Sequence, residues 1–470
     1  MKINENSLNI IYLFSLEFFV RLIGFAATTY LARILGTSGF GLINLGLAIL
    51  GYVLLFGNSG LNLLGTRKIA ADTENRGELV SGILSARFFL SLIILIISFG
   101  LIFFFITSTE TKNIVFVYLL YLIPFALLLE WFFQGIQKMG VITIGRILGM
   151  TTYLVFLIIF VKSEKDTILT AAGWFIGGAV NSFILWVFFK KAGFTAKLKF
   201  KNFNFIPLVK ESVSLSLASI TAGLAVSFPI IYLGLVTTNS NIGIYSAAFK
   251  IIILFLTFDR VFNALFYPKI INCINNYPEK LEEIFNSILK IIVAFSLSVG
   301  LIEIVCGRFI ITIVFGKLFV DSIFIFQLLT GYFTFTLINS VFSYTLIGMK
   351  KENIYTAALS IGAIVFVLCS IILYKYYFVP GVAISLPLFE FTALIYMSVK
   401  LKQHLKIRIT RNLFMPVTGT YIIILPILLF IKISILIKFI LLILVCIPVI
   451  FVLTGINIEE LKFSIELISI

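Results

Sequence analysis

Eleven charged side chains fall inside long apolar stretches of this chain: Glu17, Arg21, Arg33, Arg87, Glu130, Arg146, Lys250, Asp259, Arg260, Glu303 and Glu390. A charge at the centre of a bilayer costs at least ~2.5–3.5 kcal/mol, so such residues face a bundle interior or a water-filled cavity and have a task there. The chemistry they offer is ionic. A guanidinium grips a phosphate or carboxylate through paired hydrogen bonds, and a buried carboxylate can hold a coupling proton or cation.

Arg21 stands near the middle of the first apolar stretch, and Glu17 precedes it by one helical turn on the same face. Arg21 is then either a cavity cation for a diphosphate or acidic sugar, or half of a structural pair with Glu17. Arg87 is either a second cavity cation or a side chain that snorkels to the head groups. Lys250 and Asp259 project in roughly similar directions from one stretch, with Arg260 beside them. They carry opposite charges into a cavity or bridge to neighbouring helices. Arg33, at the end of its stretch, is an interfacial anchor or a further anion contact. Glu130 and Arg146 approach one surface from adjacent stretches and suit a structural pair. Glu390 lies mid-stretch with no local partner and could bind a coupling proton or cation. Glu303 is similar but nearer the opposite surface.

Other chemistries have no support in the residues. The single histidine, His404, sits in a basic loop. Gly60 to Arg67 lacks the lysine of a phosphate-binding loop. Cys273, Cys306, Cys369 and Cys446 are far apart, with neither metal-ligand nor disulfide spacing. No nucleophile elbow occurs. The expectation is a non-enzyme with no catalytic residue, no metal and no cofactor.

The elements that position these charges follow from composition. Hydrophobic residues make up 60% and charged residues 12%; mean hydropathy is +1.14. A soluble domain would be about 25% charged. Fourteen apolar spans lie near 8–34, 39–63, 80–106, 113–135, 141–162, 168–189, 212–236, 242–268, 286–308, 321–348, 354–377, 379–400, 412–432 and 434–455. About 20 such residues cross the hydrocarbon as one helix. The net charge of +15 sits mainly in alternate loops, with clusters at Lys190–Lys210 and Lys400–Arg411. By the positive-inside rule both termini lie in the cytoplasm. The basic excess therefore reads as topology and contact with anionic lipids, not nucleic-acid binding. The first residues lack the build of a cleaved signal peptide. The loops on the opposite side are too short for a folded domain.

A weak internal repeat adds organisation. At an offset of 202, Tyr30-Leu31 meets Tyr232-Leu233, Ser38 meets Ser240 and Gly41 meets Gly243; at 200, Ser98 to Ile102 meets Ser298 to Ile302. The implied plan is an N-terminal six-helix bundle (1–205), a C-terminal one (206–405) related by a pseudo-two-fold axis, and two further helices with a short tail (406–470). Such repeats place a substrate path between the halves. A wet cavity there would remove most of the cost of the buried charges.

Tyr30-Leu31-Ala32-Arg33-Ile34-Leu35-Gly36, Phe40-Gly41, Gly60 and Thr66-Arg67-Lys68-Ile69-Ala70 form a pattern. It resembles the polysaccharide-biosynthesis flippases of the superfamily shared with multidrug and toxin extrusion transporters and lipid II flippases. Pro124 followed by Glu130-Trp131-Phe132-Phe133-Gln134-Gly135 is similar to that family's fourth helix, and Pro380-Gly381-Val382-Ala383 to the start of its twelfth. Arg21-Leu22-Ile23-Gly24-Phe25 is similar to the lipid II branch, but Ala27-Thr28 replaces that branch's Arg-Asp pair. The resemblance implies an all-helical V-shaped bundle with a central cavity and alternating access. Its substrate would be undecaprenyl-diphosphate-linked oligosaccharide, such as an O-antigen or capsule repeat unit. The setting would be the bacterial inner membrane, with glycan polymerase and glycosyltransferases as partners. Arg21, Arg87, Lys250, Arg260 and Arg33 would bind substrate; Glu17, Asp259, Glu390 and Glu303 would be coupling or structural acids. The apolar span pair 13 and 14 would form a groove for the lipid tail. A cation-coupled drug exporter of the same fold, which would prefer an acidic cavity, is the alternative; a membrane glycosyltransferase or polymerase is a more distant one.

Overall fold

The computed structural model describes residues 5–72, 75–198, 206–405, 416, 419–420 and 439–454; the side chains of 5–18, 213–222, 224–225, 451 and 453 are not described. The Glu17 side chain, most of span 13 and residues 434–438 of span 14 therefore lie outside what is described. All regular structure among these residues is helical.

The first twelve expected spans each fall on helix, but the breaks between them are of different kinds. Helix α1 runs Glu5–Asn58. At 1.5 Å per residue that is about 80 Å, far more than one crossing needs. The resolution is Gly36, whose φ of 63° and ψ of −171° interrupt the helix between two spans. A residue without Cβ adopts that conformation at little steric cost. Helix α14, Glu352–Leu401, is likewise two spans, but its break is at Phe378, with φ 54° and ψ −134°. There a bulky side chain holds a conformation that favours glycine, two residues before Pro380. Between these lie α2 (Leu61–Ala71), α3 (Arg76–Phe105), α4 (Thr109–Leu119), α5 (Leu122–Ala126), α6 (Glu130–Gly135), α7 (Met139–Phe160), α8 (Thr167–Lys191), α9 (Ile206–Val236), α10 (Asn239–Phe255), α11 (Thr257–Asn276), α12 (Leu281–Val314) and α13 (Ser322–Gly348). A π-helical turn, Leu442–Cys446, leads into α15, Ile447–Thr454. Nine described helical segments are long and apolar enough to cross a membrane. The chain is a multi-pass membrane protein.

By packing, the chain forms two compact units, 1–243 and 244–470. Helix α9 and the first residues of α10 thus group with the first unit, beyond the boundary near residue 205 that the repeat suggests. The packing has a local cause. The turn after Gly36 and the turn joining α9 to α10 are repeat-related, and they touch reciprocally. A Cβ on Gly41 would lie 1.7 Å from the Asn239 carbonyl oxygen, and one on Gly243 would lie 2.0 Å from the Thr37 oxygen. Thr37 and Ser240 share a hydroxyl hydrogen bond of 2.8 Å across the same contact. Only two glycines let the backbones approach so closely. The weak sequence repeat is here a self-complementary contact.

Within the first unit, α7 and α8 cross on a second glycine pair. A Cβ on Gly149 would stand 2.7 Å from the Gly177 oxygen, and one on Gly177 would stand 2.8 Å from the Gly149 oxygen. Gly145 and Gly173 lie one turn away on the same helices, so each helix carries a small-xxx-small stripe. Beside this crossing, Trp131, Phe132, Phe133 and Phe189 form a buried aromatic core. In the second unit, α12, α13 and α14 pack together; Phe285, Phe333, Phe342 and Phe366 are among their fully buried contacts.

Candidate functional site

In the first unit the fourth span is not one helix but α4, α5 and α6 in succession. Pro124 cannot donate a backbone hydrogen bond, and residues 127–129 are non-helical. The carbonyls of Phe125, Leu127 and Leu128 are therefore short of intrahelical donors. Arg87, fully buried on α3, supplies them. Its guanidinium donates to Leu128 O at 2.6 Å and Phe125 O at 2.5 Å, and lies 5.0 Å from the Phe125 ring centre. The Trp186 indole donates to Leu127 O at 3.0 Å. Arg87 was expected either in a cavity or at the head groups; instead it braces a broken helix inside the bundle.

Glu130 opens α6 and meets Arg146 of α7 as the sequence suggested. Arg146 donates Nε to Oε1 at 2.9 Å and Nη2 to Oε2 at 2.6 Å, and Asn181 of α8 adds Nδ2 to Oε1 at 3.3 Å. The pair is only partly covered, with side-chain exposures of 38% for Arg146 and 21% for Glu130. It forms one wall of a recess of about 420 Å³. Arg21, half-buried on α1, and Arg33, exposed near the Gly36 break, both have interaction partners. Lys68 and Glu211 form a more exposed ion pair of 2.7 Å between α2 and α9.

The second unit is arranged differently. Glu390, 7% exposed on the second half of α14, accepts from Asn339 Nδ2 at 2.6 Å; the same amide also donates to the Glu390 backbone oxygen at 2.8 Å. Asp259 on α11 accepts from the Tyr344 hydroxyl at 3.3 and 3.4 Å. Among the described residues neither carboxylate has a cationic partner. Glu303 on α12 is fully buried. Among the described residues neither of its oxygens has a hydrogen-bond partner, and Thr330 donates to Phe326 O at 3.2 Å. Lys250 is half-buried on α10 and has no acidic partner among the described residues. Lys250 and Asp259 do not share one regular helix, because α10 ends at Phe255 and α11 begins at Thr257. Arg260 is exposed. The structure thus sets Asp259 and Glu390 each against a polar residue of α13 and leaves Lys250 and Glu303 outside that arrangement. The sequence reading missed Asn339 and Tyr344, uncharged residues on α13, and Trp174 and Tyr153 in the recess of the first unit. An Asn in an apolar span was the available signal for the first of these.

A family model described as polysaccharide biosynthesis protein matches residues 8–268. The curated "Putative O-antigen transporter" of Escherichia coli (strain K12) is 24% identical over 260 residues, 53% of this chain and 61% of that protein. The protein of the same description from Shigella dysenteriae is 24% identical over 250 residues, 52% of this chain and 62% of that one. The match therefore spans about three fifths of these relatives. Among solved structures, the lipid II flippase MurJ in an inward closed conformation superposes with a TM-score of 0.74 at 17% identity, covering 94% of this chain and 98% of that one. An inward-facing multidrug resistance MATE family transporter gives 0.67 at 16% identity, covering 82% and 94%. The fold is that of these all-helical transporters, and with its matched segment spanning more than half its length, the chain belongs to the polysaccharide biosynthesis protein family.

Proposed function

We propose that this protein is a flippase that carries a polyprenyl-diphosphate-linked oligosaccharide from the inner to the outer leaflet of a bacterial plasma membrane by alternating access. Family membership and the flippase-like fold support the class. The observation that carries the head-group chemistry is Lys250, a half-buried cation on an apolar helix with no described carboxylate against it. Such a charge costs too much to keep without a ligand or water to receive it. With Arg87 committed to carbonyls, the diphosphate falls to Lys250, Arg21 and Arg260, and Arg33 anchors at the interface. Rocking of two repeat-related halves, divided near residue 205, moves the head group while the tail stays in lipid. Both termini are cytoplasmic, and the glycan is delivered by glycosyltransferases and taken on by a polymerase. Lys250→Glu or Arg21→Glu should abolish surface glycan while the protein persists in the membrane; normal glycan in both would refute the head-group assignment.

A second reading, a cation-coupled exporter, draws on Asp259 and Glu390, two carboxylates with no described cation beside them. In the flippase reading Glu390 instead takes a coupling proton or metal cation. Uptake of a lipophilic cation by reconstituted protein, blocked by Glu390→Gln and indifferent to Lys250→Glu, would favour the exporter.

A further inference from the structure

The recess in the first unit is a built site with no part in the assignment above. Its walls come from four places: Val20 and Leu54 on α1, Tyr121 to Glu130 in the broken fourth span, Arg146 to Tyr153 on α7, and Trp174 to Asn181 on α8. Its volume of about 420 Å³ is within the range of small-molecule sites, about 300–1,000 Å³. Glycine makes room for it. Gly178 lets the Tyr121 ring rest on α8, since a Cβ there would be 2.1 Å from that ring. The glycine crossing of α7 and α8 forms the adjoining wall.

Three aromatic rings gather at this wall. Trp174 stands 6.0 Å from Tyr121 at 48° and 5.2 Å from Tyr153 at 89°. The lining also holds the hydrogen-bonded polar group of Glu130, Arg146 and Asn181. Two buried polar atoms of the lining residues have no hydrogen-bond partner among the described residues: Trp174 Nε1, a donor, and Asn181 Oδ1, an acceptor that packs beside Gly145. Asn181 is itself only 9% exposed. An orphaned buried polar group is costly to the fold, so a ligand that reaches one of them relieves part of that cost. The carboxylate–guanidinium pair is internally neutral, which disfavours a charged ligand. An aromatic wall with a donor, an acceptor and a neutral ion pair suits a ring with one apolar face and hydroxyls at its edge.

We propose that this recess is a carbohydrate subsite that takes one uncharged pyranose ring, its apolar face against Trp174 and its hydroxyls on the Glu130–Arg146–Asn181 rim. This deepens the flippase reading and rests on it: the ring would belong to the lipid-linked glycan. The test uses purified full-length protein in nanodiscs, titrated with free glucose, galactose, N-acetylglucosamine and glucuronate while tryptophan emission is followed. At least one neutral sugar should give a saturable change, glucuronate none, and Trp174→Phe should abolish the change. Asn181→Leu, monitored by the wild-type indole, should weaken apparent affinity at least tenfold, while Asn181→Gln restores part of it. Correct folding of each variant is checked by monodisperse elution and unaltered thermal unfolding. No saturable response to any free sugar, a response that survives Trp174→Phe, or a response confined to alkyl glycosides would overturn the proposal; the last would make the recess a lipid slot. Because free sugars carry no diphosphate, these results stand apart from glycan loss in Lys250→Glu cells, which tests flipping itself.

Discussion

The two units handle buried charge in opposite ways. In the first, Arg87 donates to carbonyls and Arg146 to Glu130, so both guanidinium groups have fixed acceptors inside the bundle. In the second, Asp259, Glu303 and Glu390 lie among hydroxyls and amides or apolar side chains, with no described cation beside them, and Lys250 has no described acid. A charge with a fixed partner braces a structure; a charge without one is available to a ligand or proton. The contrast teaches that charge inside a membrane span does not by itself mark a binding site. What the surroundings leave unmatched marks it.

The largest effect should come from the brace. Arg87→Met would strand the Leu128 carbonyl and remove the second bond to Phe125. The expected loss is about 2–5 kcal/mol of stability, from orphaned polar groups and lost charged hydrogen bonds, read as a lower unfolding temperature and poor recovery from the membrane. Arg87→Lys should restore only part, because a point charge cannot replace the two-pronged fork. Wild-type stability in Arg87→Met would erase the contrast between the units.

Next is the half-exposed pair. Glu130→Gln should cost roughly 1–2 kcal/mol, discounted from a buried pair because both side chains meet solvent. A double-mutant cycle with Arg146→Gln should return a coupling of similar size; zero coupling would mean the pair is only a rim feature of the recess. Phe378→Gly should change stability in the other direction, raising it by about 1 kcal/mol as the left-handed corner of α14 loses its steric penalty. A destabilised variant would show instead that the exposed Phe378 ring matters more than its backbone. The smallest stability change belongs to the second unit's acids. Glu390→Gln and Glu303→Gln should shift the unfolding temperature little or upward, since an uncompensated buried charge is removed, while glycan export falls. A fall in stability on the scale of Arg87→Met would show that these acids are structural as well.

Hydropathy made the spans legible because each crossing needs its own unbroken apolar run, and Gly36 and Pro380 marked two of the turns. The Glu130–Arg146 pair was legible because residues 16 apart on antiparallel neighbours must come back together. Arg87 was not. Its acceptors lie 38 and 41 residues away and exist only because the fourth span breaks. The Gly41–Gly243 contact was visible as a repeat but not as a touch.

By itself, then, the chain's order of residues determined that this is a many-spanning helical membrane protein, since hydrocarbon leaves an apolar run no other structure to adopt. Which charges are bound up and which stay open was decided only in three dimensions, because a buried group's state depends on neighbours that distant segments bring to it.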